Sequence, residues 1–136
     1  MADDPTEYLY ASMPIGATLG IAAVSLDKDE TVLTMPWRAD LCTTGGVLHG
    51  GAVMALADSA GGACAFANLP DGAAGTSTIE SKTNFLGAVR DGTVTATARP
   101  LHVGSTTIVV ETELRRDDGR LVAKVTQTQT VLRPKG

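Results

Sequence analysis

The alternation of apolar and polar positions divides this chain into strands on either side of one long helix. From Gly50 to about Asn68 the residues are apolar or small, apart from Asp58 and Ser59, which predicts a helix. The flanking stretches are rich in threonine and valine and alternate in polarity, as strands do. The predicted strands cover residues 18–26, 31–37, 78–85, 93–99, 106–115 and 121–132.

Short polar turns connect these elements. Asp27-Lys28-Asp29-Glu30 joins the first two strands, and Asp117-Asp118-Gly119 is a strong hairpin signal near the end of the chain. Residues 5–13 are predicted to form a short helix, and residues 38–48 to be irregular. This order predicts an α+β fold in which an antiparallel sheet carries a single central helix on one face. We expect one domain over residues 1–136, with residues 1–17 as a leading segment.

Composition narrows the classes of function. A net charge of −4 argues against general nucleic-acid binding, which needs a basic surface. The acidic start of the chain is unlike a secretory signal, and Cys42 and Cys64 are few enough to be reduced thiols, so we expect a cytoplasmic protein. His49 and His102 are far apart in sequence, and no metal site is predicted. The long helix is nearly long enough to cross a bilayer, but Asp58 lies in its middle, and we expect a helix buried in protein and no membrane partner.

The helical repeat places Asp58 on a face that carries very small side chains. Its neighbours three, four and seven positions away include Gly51, Gly61 and Gly62, and such a face suits the close approach of another backbone or a ligand. Val53, Leu56, Ala60, Cys64 and Ala67 lie on the opposite side and are predicted to pack on the sheet. Two structural alternatives remain at this stage: Asp58-Ser59 caps a helix that restarts after a break, or Asp58 simply faces water.

The start of the helix, His49-Gly50-Gly51, is the second candidate feature. Free backbone N–H groups and the positive end of the helix dipole there suit an anion or a polarised carbonyl. The alternative is that the glycines only provide a flexible entry and that His49 packs or caps. Gly50 and Asp58 are separated by about 12 Å along a helix, so one carbonyl cannot reach both in the same chain. Two copies packed antiparallel would bring them together, which predicts a homodimer with two composite sites.

Three stretches of the sequence resemble a known family. The chain is similar, from about residue 31 to residue 132, to the hotdog-fold acyl-CoA thioesterases, specifically the PaaI-type branch of the 4-hydroxybenzoyl-CoA thioesterase superfamily. The stretches that carry the resemblance are Leu48-His49-Gly50-Gly51, Leu56-Ala57-Asp58-Ser59-Ala60-Gly61-Gly62 and Thr78-Ile79-Glu80-Ser81-Lys82-Thr83-Asn84-Phe85-Leu86. The resemblance implies a long antiparallel sheet wrapped around one helix, assembled as dimers and as homotetramers. It also implies hydrolysis of an acyl-CoA thioester to the free acid and coenzyme A.

The resemblance also implies roles for individual residues. Asp58 matches the carboxylate that activates water or attacks the thioester, and Gly50 matches the glycine whose N–H polarises the carbonyl. His49 matches the adjacent histidine that shapes the site, and Thr78 falls at the hydroxyl position that helps to place the water, contributed alongside Asp58. By these assignments Asp58 and Thr78 come from one subunit, and His49 and Gly50 from the other. The family commonly has Asn or Gln six residues before the histidine. Thr43 stands there in this chain, which puts that amide contact in doubt.

Coenzyme A is a substrate fragment in this chemistry, and no cofactor is implied. Its phosphates need basic or hydroxyl partners, for which the candidates are Arg90, Arg99, Ser105 and Thr106. Two alternatives to hydrolysis stay open: a hotdog dehydratase or hydratase that acts on acyl thioesters, and a non-catalytic acyl-CoA binding protein.

Overall fold

A computed structural model describes residues 4–135 and shows a six-stranded antiparallel sheet with one long helix on one face, which confirms the α+β hotdog fold. The strands lie in the order β1-β2-β4-β5-β6-β3, so β1 and β3 form the two edges. Two short 3-10 turns occupy the irregular segment before the long helix. The elements are α1 (Pro5–Ser12), α2 (Ile15–Leu19), β1 (Ala22–Leu26), β2 (Thr31–Pro36), α3 (Gly50–Ala67), β3 (Gly75–Phe85), β4 (Thr93–Val103), β5 (Thr107–Arg115) and β6 (Leu121–Leu132).

The first predicted strand is wrong over its first half. Residues 15–19 form the helix α2, and Gly20 ends it with a left-handed backbone at φ 72°. Glycine adopts that conformation at no steric cost and commonly terminates helices. The strand therefore starts only at Ala22. The apolar residues before Ala22 fit a short helix as well as a strand, so their pattern alone did not distinguish the two.

The helix α3 is continuous and provides the centre of the core. Val53, Leu56, Ala60 and Cys64 are all buried, as predicted, whereas Ala67 at the last turn is exposed, which corrects the prediction for that residue. Because the helix runs unbroken from residue 50 to residue 67, the alternative of a restart at Asp58 is wrong. By length and composition α3 is the one helix within residues 4–135 that passes the test for a membrane span, and it lies here against the sheet as the core helix.

The edge strand β3 contains a bulge that changes which side chains face the helix. Thr78 pairs with Gln129 and Glu80 with Thr128, so Ile79 is an extra residue in the ladder. A bulge shifts the alternation by one position. The strict alternation predicted for residues 78–85 is therefore wrong, because Thr78 and Phe85 both reach the helix α3.

The leading segment forms a capped helix that is fastened to the sheet edge. The Asp4 carboxylate accepts from the Thr6 N–H at 2.9 Å and caps α1, and Pro5 occupies the first turn. The Thr6 hydroxyl accepts from the Ala23 N–H of β1 at 2.9 Å, and Leu9 is buried in the core. These contacts hold α1 in a fixed place beside the fold.

Candidate active site

Asp58 lies in the middle of α3 and is held through one of its two carboxylate oxygens. The Thr78 hydroxyl lies 2.8 Å from Asp58 Oδ1, and Gln127 Nε2 donates to the same oxygen at 3.2 Å. Within residues 4–135, no hydrogen bond reaches Oδ2. The Asp58 side chain is exposed, which agrees with the alternative that it faces water, but it also contacts the side chains of Thr78 and Gln127. One oxygen is anchored, and the other is left with free lone pairs.

Two buried glutamines of β6 form the floor beneath this carboxylate. Gln127 and Gln129 are 0% and 2% exposed. Gln127 Nε2 donates to Gln129 Oε1 at 2.9 Å, and Gln129 Nε2 donates to the Thr76 hydroxyl at 3.1 Å. Thr78 Oγ1 also lies 2.6 Å from Gln129 Oε1, so the single proton of this hydroxyl has two acceptor oxygens within reach and is donated to one of them at a time. Burying an amide without partners is costly, so the network fixes both glutamines, and they in turn fix the positions of Asp58 and Thr78.

The missing side chain of Gly61 makes room for the Gln127 amide. A Cβ at Gly61 would overlap Gln127 Oε1 and lie 2.7 Å from its Nε2. Gln127 Oε1 is buried against this glycine and has no partner within the described chain. The prediction that Gly61 belongs to a bare face open to another backbone is therefore corrected, because a side chain of the same chain fills that space. Gly62, by contrast, has no atom within 4 Å of its Cβ position.

The start of α3 has one backbone donor that no residue within the described chain uses. His49 is the cap, and its Nδ1 accepts from the Gly51 N–H at 2.8 Å, which agrees with the capping alternative. No acceptor within residues 4–135 takes the Gly50 N–H. The ring of Phe85 borders this point, 3.1 Å from the Cβ position of Gly50. The helix dipole adds positive potential at the same place.

The two halves of the candidate site lie eight residues apart on α3, with Gly50 at the start of the helix and Asp58 in its middle. The Gly50 donor and Asp58 are separated by about 12 Å along the continuous helix. Asp58 and Thr78 are brought together, as the resemblance implied, but His49 and Gly50 are not near them in the same chain. Thr43 is exposed in the turn that precedes the helix, and its N–H donates to the Val47 carbonyl at 2.8 Å.

The four candidate contacts for coenzyme A phosphates are spread along β4. Arg90 precedes the strand and donates to the Gly45 carbonyl at 3.2 Å, and Arg99 in its middle pairs with Glu30 at 2.6 Å. Ser105 and Thr106 lie in the turn after the strand. An 11-residue strand spans about 33 Å. The four residues therefore do not form one cluster within a chain. No group of three or more metal-ligating side chains occurs within residues 4–135.

Comparison with known families connects this geometry to a class of proteins. Residues 45–123, which include both halves of the site, match the family model described as the thioesterase superfamily. The chain belongs to the thioesterase superfamily. Among relatives of this family, it is 37% identical over 117 residues to SSO2140 of Saccharolobus solfataricus, covering 86% of this chain and 82% of the relative.

Solved structures in the superfamily have the same fold. A variant of the thioesterase PA1618 from Pseudomonas aeruginosa superposes with a TM-score of 0.87 at 33% identity, covering 97% of this chain and 96% of that one. The thioesterase HI1161 from Haemophilus influenzae gives a TM-score of 0.87 at 27% identity, with 98% and 91% covered. The E. coli PaaI protein from the phenylacetic acid degradation operon gives 0.84 at 26% identity, with 93% and 89% covered. These likenesses agree with the PaaI-type resemblance of the sequence.

Sequence reasoning missed the residues that support the Asp58 carboxylate. Gln127 and Gln129 were assigned only to a strand, and Phe85, although it lies in a stretch that carries the family resemblance, was given no role in the site. A signal was present in β6, where Val125 and Val131 set the parity of the inward face and place both glutamines on it. Two amide side chains on the inward face of one strand indicate a polar site rather than an apolar core.

Proposed function

We propose that this member of the thioesterase superfamily hydrolyses acyl-CoA thioesters to a free acid and coenzyme A. The observation that carries the proposal is the state of Asp58, with Oδ1 anchored by Thr78 and Gln127 and Oδ2 free at an exposed position. An anchored carboxylate with one free oxygen suits a group that must either take a proton from water or attack a carbonyl carbon. The solved relatives named as thioesterases support the same reaction class.

The reaction needs little more than this carboxylate and one donor. The thiolate of coenzyme A is a good leaving group, so strong protonation by an acid is not required. Asp58 Oδ2 accepts a proton from a water molecule whose oxygen adds to the thioester carbonyl carbon, and the C–S bond then breaks to release the thiolate. Alternatively, Oδ2 attacks that carbon and displaces the thiolate, and water then hydrolyses the mixed anhydride to the free acid. The Thr78 hydroxyl, 2.8 Å from Oδ1, holds the carboxylate, and its oxygen keeps lone pairs that can accept a hydrogen bond from the water. A backbone N–H with no other acceptor, such as that of Gly50, stabilises the oxyanion as the carbonyl becomes tetrahedral.

A second copy of the chain is part of the proposal because Gly50 and Asp58 of one chain are too far apart. The strand β3 provides a surface for pairing, since it is the sheet edge and Ile79 and Phe85 on it are exposed. An unpaired edge with exposed apolar side chains is suited to joining a second sheet. We propose a two-fold dimer in which Gly50 of one copy faces Asp58 of the other, with a homotetramer as the larger assembly.

The test is thiol release from a panel of acyl-CoAs by the wild type and by Asp58→Asn. The wild type should release thiol, and Asp58→Asn should lower kcat by about 10²–10⁴, the usual contribution of a positioned base. Asp58→Asn keeps the size of the side chain, so circular dichroism and sedimentation should match the wild type. Full activity in a folded Asp58→Asn variant would contradict the mechanism.

A matched control is available in Asp40, an exposed carboxylate that pairs with Arg38 and lies outside the site. Asp40→Asn should leave kcat unchanged. Hydration of an enoyl-CoA without thiol release would favour the dehydratase alternative, and binding without turnover would favour the non-catalytic one.

A further inference from the structure

A cavity of about 770 Å³ opens directly beside Asp58 and is roofed by the leading helix. Its floor is α3 and the start of β3, and its roof is formed by Tyr8 and Leu9 of α1 together with Met13, which follows that helix. Asp58 and Thr78 lie in its wall, so the cavity and the candidate catalytic groups are continuous. Its volume falls in the range of sites that enclose small-molecule ligands.

The lining indicates which part of an acyl-CoA fits there. None of the described residues that line the cavity is basic, so it offers nothing to the phosphates of coenzyme A. Aliphatic and aromatic side chains from α1 and α3 predominate, including Leu9 and Phe66. An apolar group is therefore the matching occupant.

The length of the cavity indicates the size of that group. Asp58, Gly62 and Phe66 all line it, four residues apart on one face of α3. Two such steps span about 12 Å. An extended hydrocarbon advances about 1.25 Å per bond, given C–C bonds of about 1.5 Å, so about ten carbons cover this length.

We propose that this cavity is the acyl subsite and that it selects an apolar acyl group of medium length, near ten carbons. The inference rests on the proposed thioesterase function. The acyl chain lies between α1 and α3 with its carbonyl at Asp58, and the missing side chain of Gly62 keeps the passage open. Gly62 and Tyr8 are then residues that determine specificity.

The experiment narrows the passage with Gly62→Leu. The Cβ position of Gly62 has no atom within 4 Å, and Gly62 lines the cavity, so a leucine side chain starts from open space and takes up part of the cavity volume. The loss of a helical glycine favours folding. We expect the ratio of kcat/KM for decanoyl-CoA to that for acetyl-CoA to fall at least about tenfold, because pocket contacts of a few methylenes are worth that much. Tm should not decrease. Tyr8→Ala removes a half-exposed ring from the opposite wall and should also lower the ratio.

The control is Ala11→Leu, which adds the same side chain at an exposed position of α1 that does not line the cavity. Its ratio should equal that of the wild type. An unchanged ratio in both Gly62→Leu and Tyr8→Ala would overturn the inference.

Calorimetric titration with decanoyl-CoA separates this inference from the proposed function. Suppose that the wild type hydrolyses no acyl-CoA but binds decanoyl-CoA, and that Gly62→Leu weakens this binding at least about tenfold. The acyl subsite is then supported, and the proposed thioesterase function is contradicted. If the wild type hydrolyses acyl-CoAs with equal kcat/KM for acetyl and decanoyl groups, the function stands and the subsite fails.

Discussion

Gly61→Ala tests whether the Gln127 amide needs the space that this glycine leaves. Alanine favours a helix interior over glycine by about 1 kcal/mol, so a helix without further constraints would gain stability. At this position, however, the new methyl group overlaps Gln127 Oε1 and lies 2.7 Å from Nε2. Gln127 is 0% exposed and is held by Asp58 and Gln129, so it has nowhere to move without breaking those contacts.

The structure allows the size of the effect to be worked out. Overpacking a filled interior costs about 1–3 kcal/mol, and a lost hydrogen bond to a charged group costs about 1.5–3 kcal/mol. The two costs together are about 2.5–6 kcal/mol, so after the propensity gain of about 1 kcal/mol is subtracted, Gly61→Ala should lower the free energy of unfolding by about 1.5–5 kcal/mol. Because Gln127 also anchors Asp58 Oδ1, kcat should fall as well, by about tenfold or more.

The assay is urea unfolding at one fixed protein concentration, together with thiol release. Gly62→Ala is the matched stability control, since its methyl group meets no atom within 4 Å and should raise the free energy of unfolding by up to about 1 kcal/mol. The double variant Gly61→Ala/Gln127→Ala should lose less free energy of unfolding than the two single variants lose together, because removing the amide relieves the overlap. A Gly61→Ala protein as stable as Gly62→Ala would refute the account of this contact.

Three further outcomes are expected, two from the contacts around Asp58 and one from the burial of Cys64. Thr78→Val removes the hydroxyl beside Asp58 and should lower kcat about 10–100-fold, whereas Thr78→Ser should restore most of it. Gln129→Leu should lower kcat, measured by steady-state kinetics, because it removes the amide oxygen that lies 2.6 Å from the Thr78 hydroxyl. In the native chain Cys42 should react with a thiol reagent before Cys64, since burial raises the pKa of the Cys64 thiol above its usual 9.0 and lowers its thiolate fraction; mass spectrometry of the labelled protein checks this.

The helix and most strands could be predicted because their signals are local. The apolar stretch predicted a helix from residue 50 to about residue 68, and the structure has Gly50–Ala67. The hairpin at Asp117-Asp118-Gly119 also joins two strands as predicted. In each case the decisive information lies within a few neighbouring residues.

The polar floor of the site could not be predicted in this way because it is built from distant residues. Asp58, Thr78 and Gln127 meet only through the pairing of β3 with β6, and the pairing of Asp58 with Thr78 was expected only through the family resemblance. The bulge at Ile79, which brings Phe85 to the helix start, has no clear signal in a strand of alternating polarity. Side-chain parity is a property of the whole ladder rather than of one segment.

Complementation between two inactive variants tests most directly whether Gly50 and Asp58 act across two copies of the chain. Gly50→Pro removes the unused N–H at the first helical position, where proline is tolerated, and Asp58→Asn removes the base. Gly50→Ala crowds Phe85 in the same way but keeps the donor, so it should retain more activity than Gly50→Pro. Each of the two inactive proteins is dissociated, mixed in equal amounts and reassociated.

In a composite site, half of the dimers are mixed, and each mixed dimer has one intact site. Thiol release should therefore return to about a quarter of the wild-type rate. If the mixture remains as inactive as its components although mass spectrometry shows mixed dimers, Gly50 and Asp58 do not act together across the interface, and the central claim is contradicted.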